Sequence, residues 1–421
     1  MKKILSLPAA FLICLIFVSG VFAESVEEIS TEPAEETASE TAGADIETAP
    51  EGDYHIGIVT GSANLTADDK GGAHAFILRY GEERVKHVEY PDNFTQDPQI
   101  VIDTIVGLAK DPDMKAIIVD PAVDGTAEGF IQVKARRPDI LCFAGEAYDN
   151  FDDLVYNADL ICCNDFISRG YMIVRTAHEL GCTSLLHITF ARHLVYETVN
   201  RRAAVMEEAC RDFGMEFRME YAPDPASYIG VAGAKSYIDE NIPEWIEQYG
   251  TNSAYFVTSD VYMTPLLEKL LEYGGYFIEG NIPSLLTGYP EVFNLDFTGK
   301  ESQVYNTVID VQDAVVQRGG AGRIGGCAYP YGFTICAGLA QHAMNVIDGV
   351  SELKDVNDML KAFEVFSPGA IWKISEYTSA DPDEHPDNAF LAFQDTIIFD
   401  DPSYLVGALD VEIPEKYYTL E

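Results

Sequence analysis

Lys115-Ala-Ile-Ile-Val-Asp-Pro121 decides the fold class. Four consecutive apolar residues closed by a carboxylate read as a strand, Ala116–Asp120, covered by protein on both faces; a half-exposed strand would alternate. Gly125–Arg136 then reads as a helix. The same alternation runs outward in both directions. Before it come strands His55–Thr60 and Val85–Tyr90 with helices Gly72–Tyr80 and Pro98–Lys110. After it come strands Ile140–Ala144, Leu160–Asn164, Ser184–Thr189, Glu216–Tyr221, Ala254–Thr258 and Tyr276–Glu279. Helices Ser168–Leu180, Val195–Phe213, Ile229–Tyr249 and Thr264–Tyr273 stand between them. Glycine follows several helices, as at Gly81, Gly181, Gly214, Gly250 and Gly274, where a left-handed residue closes the last turn. Alternation over this length predicts a doubly wound α/β architecture, whose ligands sit beyond the carboxyl ends of the strands.

The chain has 421 residues, 69 acidic against 27 basic, and a formal charge of −42. A field this negative repels phosphate backbones and anionic membrane surfaces, so no nucleic acid is expected as a partner. The length favours two folded domains over one. Lys2 and Lys3 precede an apolar run, Ile4–Ala23, that ends Val21-Phe22-Ala23. This is the layout of a secretory signal peptide over residues 1–23, cut before Glu24, so a periplasmic or extracellular location is expected. The alternative, a retained anchor, is opposed by Pro8 and Gly20. Residues 24–53 hold eleven carboxylates and no Lys, Arg or aromatic side chain, which predicts a disordered acidic tether. The seven cysteines beyond the signal are scattered through apolar runs and are expected to be buried free thiols.

Several segments resemble the type I periplasmic binding proteins, the sugar, amino-acid and nucleoside receptors of bacterial ABC importers. His55-Ile-Gly-Ile-Val-Thr60 is similar to their opening strand, and Lys115–Pro121 to their third. Asp165-Phe-Ile-Ser-Arg-Gly-Tyr171 resembles their first lobe crossing. Arg201–Gly214 resembles the helix carrying their Arg-x-x-Gly segment, although no glycine stands at that place. Ser253–Asp260 resembles their "apolar strand, then Asn-Asp" segment, with Ser259 in place of Asn. Gly326-Cys-Ala-Tyr-Pro-Tyr-Gly332 resembles a late crossing, with Ala328 where a Gln often stands. Val88–Phe94, Asn164–Gly170 and Ile229–Ala234 also look like a bacterial subgroup known only as a domain of unknown function. The resemblance implies two doubly wound, Rossmann-like lobes joined by a three-stranded hinge. It places lobe one at 54–166 plus 280–328 and lobe two at 167–279 plus 329–372. It leaves the C-terminal extension 373–421 unplaced, although Phe390–Asp395 and Leu405–Val411 read as added strands.

The implied cleft selects polar residues just past strand ends. These are Thr60, Ser62, Asp120, Glu146, Tyr148 and Asn164 from one lobe, Thr189, Arg192, Ser259, Asp260 and Glu279 from the other, and Tyr329 at the last crossing. Carboxylates and amides suit hydroxyls, aromatics suit ring faces, and Arg pairs bidentately. Against this, Asp120, Asp165 and Asp260 precede helices, where Asp is a favoured cap. Gly320-Ala-Gly-Arg-Ile-Gly325 spells GxGxxG, but a helical run precedes it where the dinucleotide fingerprint needs a strand. His187, inside an apolar strand, reads as a core histidine or a pocket donor. With no GxSxG, HExxH or P-loop, no catalytic residue, metal or cofactor is expected. The leading reading is an exported solute-binding protein. It would take a small polar molecule, a sugar, nucleoside or amino-acid-like ligand, to a membrane permease. The alternative is an extracytoplasmic sensor acting through a membrane receptor.

Overall fold

The computed structural model describes residues 53–62, 66–91, 97–377, 386–407 and 411–420. The expected signal peptide and all of the expected tether but Asp53 lie outside the described residues. From Tyr54 the chain lays down β1 (His55–Thr60), α1 (Ala67–Tyr80), β2 (Val85–Glu89), α2 (Pro98–Leu108), β3 (Met114–Val119), α3 (Thr126–Arg136), β4 (Leu141–Gly145), α4 (Phe151–Asn157) and β5 (Leu160–Asn164). These five strands pair in parallel in the order β2-β1-β3-β4-β5. Ile117, Ile118 and Val119 are fully buried, the two-sided coverage that the unbroken apolar run implies.

The chain then crosses to a second layer through α5 (Phe166–Glu179), β6 (Ser184–Thr189), α6 (Glu197–Phe213), β7 (Glu216–Tyr221), α7 (Gly230–Tyr249), β8 (Ser253–Val257) and α8 (Met263–Tyr273). Here the parallel order is β7-β6-β8. The expected strand at 276–279 contributes only single bridges, Ala254 to Tyr276 and Phe277 to Ile324. These carry the pairing on toward β9 (Gly325–Cys327), which follows α9 (Tyr289–Phe293) and α10 (Val304–Gln317).

The chain returns through α11 (Tyr331–Ile347), α12 (Val356–Phe366), β10 (Trp372–Glu376) and β11 (Ala389–Gln394), and ends with β12 (Thr396–Ile398) and β13 (Tyr404–Val406). β11 pairs parallel to β5, and β10 antiparallel to β11, which completes a seven-stranded first sheet. β12 pairs antiparallel with both β9 and β13. Lys373 of β10 donates to the Val411 carbonyl, and from there the chain passes to the second lobe, where Tyr417 is buried among side chains of α5 and α6.

These pairings correct the expected division of the chain. Segment 329–372 belongs to lobe one, because α11 packs on α1 and covers β3 and β4. Segment 280–324 belongs to lobe two: α9 packs on α8, and the Arg318 guanidinium donates to the Val292 carbonyl. The expected boundaries treated the residues after β8 as already back in the first lobe. The sequence shows no strand strong enough to mark where the second layer ends.

Three crossings join the lobes, and hydrogen bonds lace them together. The Asp165 amide donates to the Ala392 carbonyl at 2.9 Å. The Tyr329 amide donates to Gln394 Oε1 at 3.0 Å, and the Gln394 amide donates to the Tyr331 hydroxyl at 2.9 Å. The seven described cysteines are free thiols, six of them buried.

Candidate functional site

Lobe one brings four carboxylates to the carboxyl ends of its strands. Asp120 follows β3 and is fully buried, with neither oxygen hydrogen-bonded to protein. Glu146 follows β4 with φ at 44°, a strained left-handed position for a residue other than glycine. Its Oε1 lacks a protein partner, while the Tyr148 hydroxyl reaches Oε2 at 3.4 Å. Asn164 ends β5 beside Glu146, 5% exposed, with its Oδ1 unpartnered.

The other two carboxylates, Asp68 and Asp69, come from the first turn of α1. The α11 backbone closes against Asp69, and a Cβ at Gly332 would stand 1.9 Å from its Oδ1. Sequence reasoning missed this pair because the expected helix began at Gly72, which left both carboxylates in the preceding loop, whereas α1 begins at Ala67. Asp68 Oδ1 is buried without a partner, and the Ser284 side chain of the second lobe lies beside the carboxyl.

Lobe two supplies Asp260, the first residue of a short 3-10 helix, with Oδ1 buried and unpartnered. It also supplies Arg202 from α6, fully buried between the rings of Phe166 and Phe256 at 4.8 and 4.7 Å. Arg202 gives Nη2 to Asn281 Oδ1 at 2.5 Å, while Nε and Nη1 have no protein partner. The one signal for it in the sequence was the resemblance of 201–214 to an Arg-bearing family helix.

Burial without compensating charge displaces every titration here. Desolvation pushes Asp68 up to about 7, with the charge of Asp260 adding to it. Desolvation lifts Glu146 to about 7 against the pull of Arg169, and Asp260 to about 6. Asp120 rises well above the carboxylate range through burial and then the charges of Asp69 and Glu146, and Asp69 through burial and then the charges of Glu146 and Asp68. Arg202 falls to about 9, through burial and then the charge of Arg169. Tyr148 remains 59% exposed, yet surrounding protein raises its hydroxyl well above a free phenol.

The other sequence-selected residues are placed as follows. Thr60 is buried at the end of β1, and its hydroxyl meets His87 Nε2 at 2.9 Å. Ser62 is half-buried just beyond it. Thr189 accepts from the Thr258 hydroxyl at 2.9 Å, and Ser259 is buried next to Asp260. Three are committed to protein. Arg192 pairs bidentately with Asp224 at 2.7 and 2.9 Å on the exposed rim. Glu279 is buried in an ion pair with Arg169 at 2.8 Å and also accepts from Thr396. The Tyr329 hydroxyl donates to the Pro368 carbonyl at 3.1 Å. His187 is fully buried and stacked on Phe256, but neither ring nitrogen has a protein partner.

A mostly parallel seven-stranded sheet, a parallel three-stranded sheet and three crossings between them define an α/β protein of the type I periplasmic-binding-protein architecture. A family model described as "Protein of unknown function (DUF3798)" matches residues 54–325, and the chain belongs to that family. A protein of Treponema pallidum (strain Nichols), called "Uncharacterized protein", is 35% identical over 178 residues, covering 42% of this chain and 82% of that one. A putative transcriptional regulator from Clostridium difficile 630 superposes with a TM-score of 0.75 at 20% identity, covering 82% of this chain and 99% of that chain. That likeness establishes the fold alone. A sugar ABC transport system substrate-binding protein from Bordetella parapertussis 12822 is a looser match, with a TM-score of 0.48 at 10% identity over 88% of this chain and 95% of that one.

Proposed function

We propose that the protein is an exported binding protein that captures a small polar ligand by closing its two lobes over it, without catalysis, and hands it to a membrane importer. One observation carries this reading: unpartnered polar groups of both lobes face one another. Asp68 and Glu146 stand on one side and Asp260 and Arg202 on the other, close enough that the charge of Asp260 displaces the titration of Asp68. Leaving such groups unmade costs about 1–3 kcal/mol each, a cost that a ligand bonding to them would offset. A nucleophile beside a base, which acyl or phosphoryl transfer would need, is not among these residues. The sequence expectation of export and the formal charge of −42 suit an extracytoplasmic receptor. Delivery to a permease is the first reading. Signalling through a membrane receptor would use the same cleft.

The test is Glu146→Ala and Asp260→Ala, each examined by calorimetric titration with the ligand that co-purifies, identified by mass spectrometry, and by thermal melting. Each substitution is expected to weaken binding by about 10- to 150-fold, the worth of one charge-assisted hydrogen bond. Unchanged affinity in both variants, or a co-purified molecule bound elsewhere, would overturn the assignment.

A further inference from the structure

The cleft has a charge imbalance that a neutral ligand does not correct. Asp68, Asp69, Asp120, Glu146 and Asp260 face it, and the cations among the surrounding groups are Arg169 and Arg202. Arg169 is spent on Glu279 and on the carbonyls of Gly280 and Asn281. Among the described residues, Arg202 is the guanidinium left to answer five carboxyl groups. The other titratable groups beside the cluster, among the described residues, are Tyr148 and the thiols of Cys162, Cys163, Cys327 and Cys336, none of which supplies positive charge. Asn164, nine-tenths buried and with an open Oδ1 beside Glu146, adds another acceptor.

A metal ion does not fit this arrangement. Three ligand atoms within 4.8 Å of one another occur among the described residues at His74, His87 and Glu89 and at His55, Asp111 and Asp113, both outside the cleft set. The cleft carboxyls are spread over α1, the ends of β3 and β4, and the second lobe. A molecule with several donor groups can reach them together.

Resting on the binding-protein reading, we infer that the ligand is a small organic cation carrying net positive charge on ammonium or amidinium groups, which donate to the lobe-one carboxylates and to Asp260. In the empty site protons stand in for that charge: the carboxyl groups are held partly neutral, and the cation displaces those protons when it binds. Affinity for a cation therefore rises with pH through the titration of Asp260 at about 6 and of Asp68 and Glu146 at about 7. A neutral polyol, which releases no proton, lacks this dependence.

Spermidine and agmatine, which stay cationic at both pH values, are titrated calorimetrically into the wild-type protein at pH 5.5 and 8.0, with N-acetylglucosamine and ribose as neutral probes. At pH 8.0 the expected results are binding of at least one amine and proton release in two buffers of different ionisation heat. Binding at pH 5.5 is expected to be at least tenfold weaker. Glu146→Gln, which keeps shape and removes charge, is expected to lose at least tenfold in amine affinity without lowering the melting midpoint of the empty protein. A pH-independent affinity for N-acetylglucosamine or ribose that Glu146→Ala abolishes would overturn the cationic ligand while leaving the binding-protein reading intact. Failure of every amine at pH 8.0, or a neutral or anionic co-purified molecule, overturns it as well. Loss of all cleft binding would remove both.

Discussion

Glu279 shows how a strand-end carboxylate can be functional in pattern and structural in fact. Its position past an apolar run suits a ligand contact, but Arg169 arrives from α5, 110 residues earlier, and takes it. No local spacing announces a partner at that separation. Glu279→Ala is expected to strand a buried guanidinium and cost about 3–5 kcal/mol, read as a fall in urea midpoint, whereas Glu146→Ala should leave stability nearly unchanged. Equal melts for the two variants would refute the distinction. Glu146, Asp120 and Asn164 were legible because each sits where the strand rule points. Asp68 and Asp69 were not, because the expected helix began five residues after α1 does, and Arg202 was not, because a helix interior explains such a residue without a cleft.

At the scale of elements, nearly every helix and strand up to Tyr273 was legible from apolar runs and glycine stops. β10 to β13 were harder to place, because their pairing with β5 and β9 is between residues far apart in the chain. The assignment of α11 failed for a related reason. Its sequence, Tyr331–Ile347, is apolar on nearly every face, since it is buried against α1, α12 and the first sheet together. Helix α1 meets it through Gly72, where a Cβ would stand 2.3 Å from the Phe333 carbonyl oxygen. Gly72→Ala must push the two helices apart and is expected to cost about 1–3 kcal/mol. Gly107→Ala, in α2 with nothing within 4 Å of the new atom, is expected to stabilise by about 0.5–1 kcal/mol. Paired denaturant curves decide, and a Gly72 variant as stable as the parent would contradict the close approach.

Across the whole molecule, stability should depend on pH in two opposed ways. Asp68 and Glu146 at about 7 and Asp260 at about 6 lie above their unfolded values. Their contribution is therefore complete below about pH 4 and is lost as pH rises through 6 to 7. His187, pushed down to about 3 by burial and then by Arg202, and His87, pushed down to about 4 by burial and then by His74, act in the other sense. Their contribution is complete above about pH 6.5 and is lost on acidification. The empty protein is expected to melt highest at mildly acidic pH. Changing Asp68 and Asp260 to Asn and Glu146 to Gln together should flatten the alkaline limb and leave the acid limb in place. A parent midpoint that climbed steadily from pH 5 to 8 would contradict the burial of these carboxyls.

Tyr54 is tied to lobe one by its hydrogen bond to Asp348, while Tyr417 and Tyr418 are tied to lobe two through Asp212 and Arg201. The third crossing is what separates them, since it carries the chain out of the first sheet after β11 and leaves it on the far lobe. Asp53 and Thr419 are therefore attachment points on opposite jaws. A donor dye at one and an acceptor at the other would form a ruler across the molecule, turning ligand capture into a change in energy transfer with no label near the cleft.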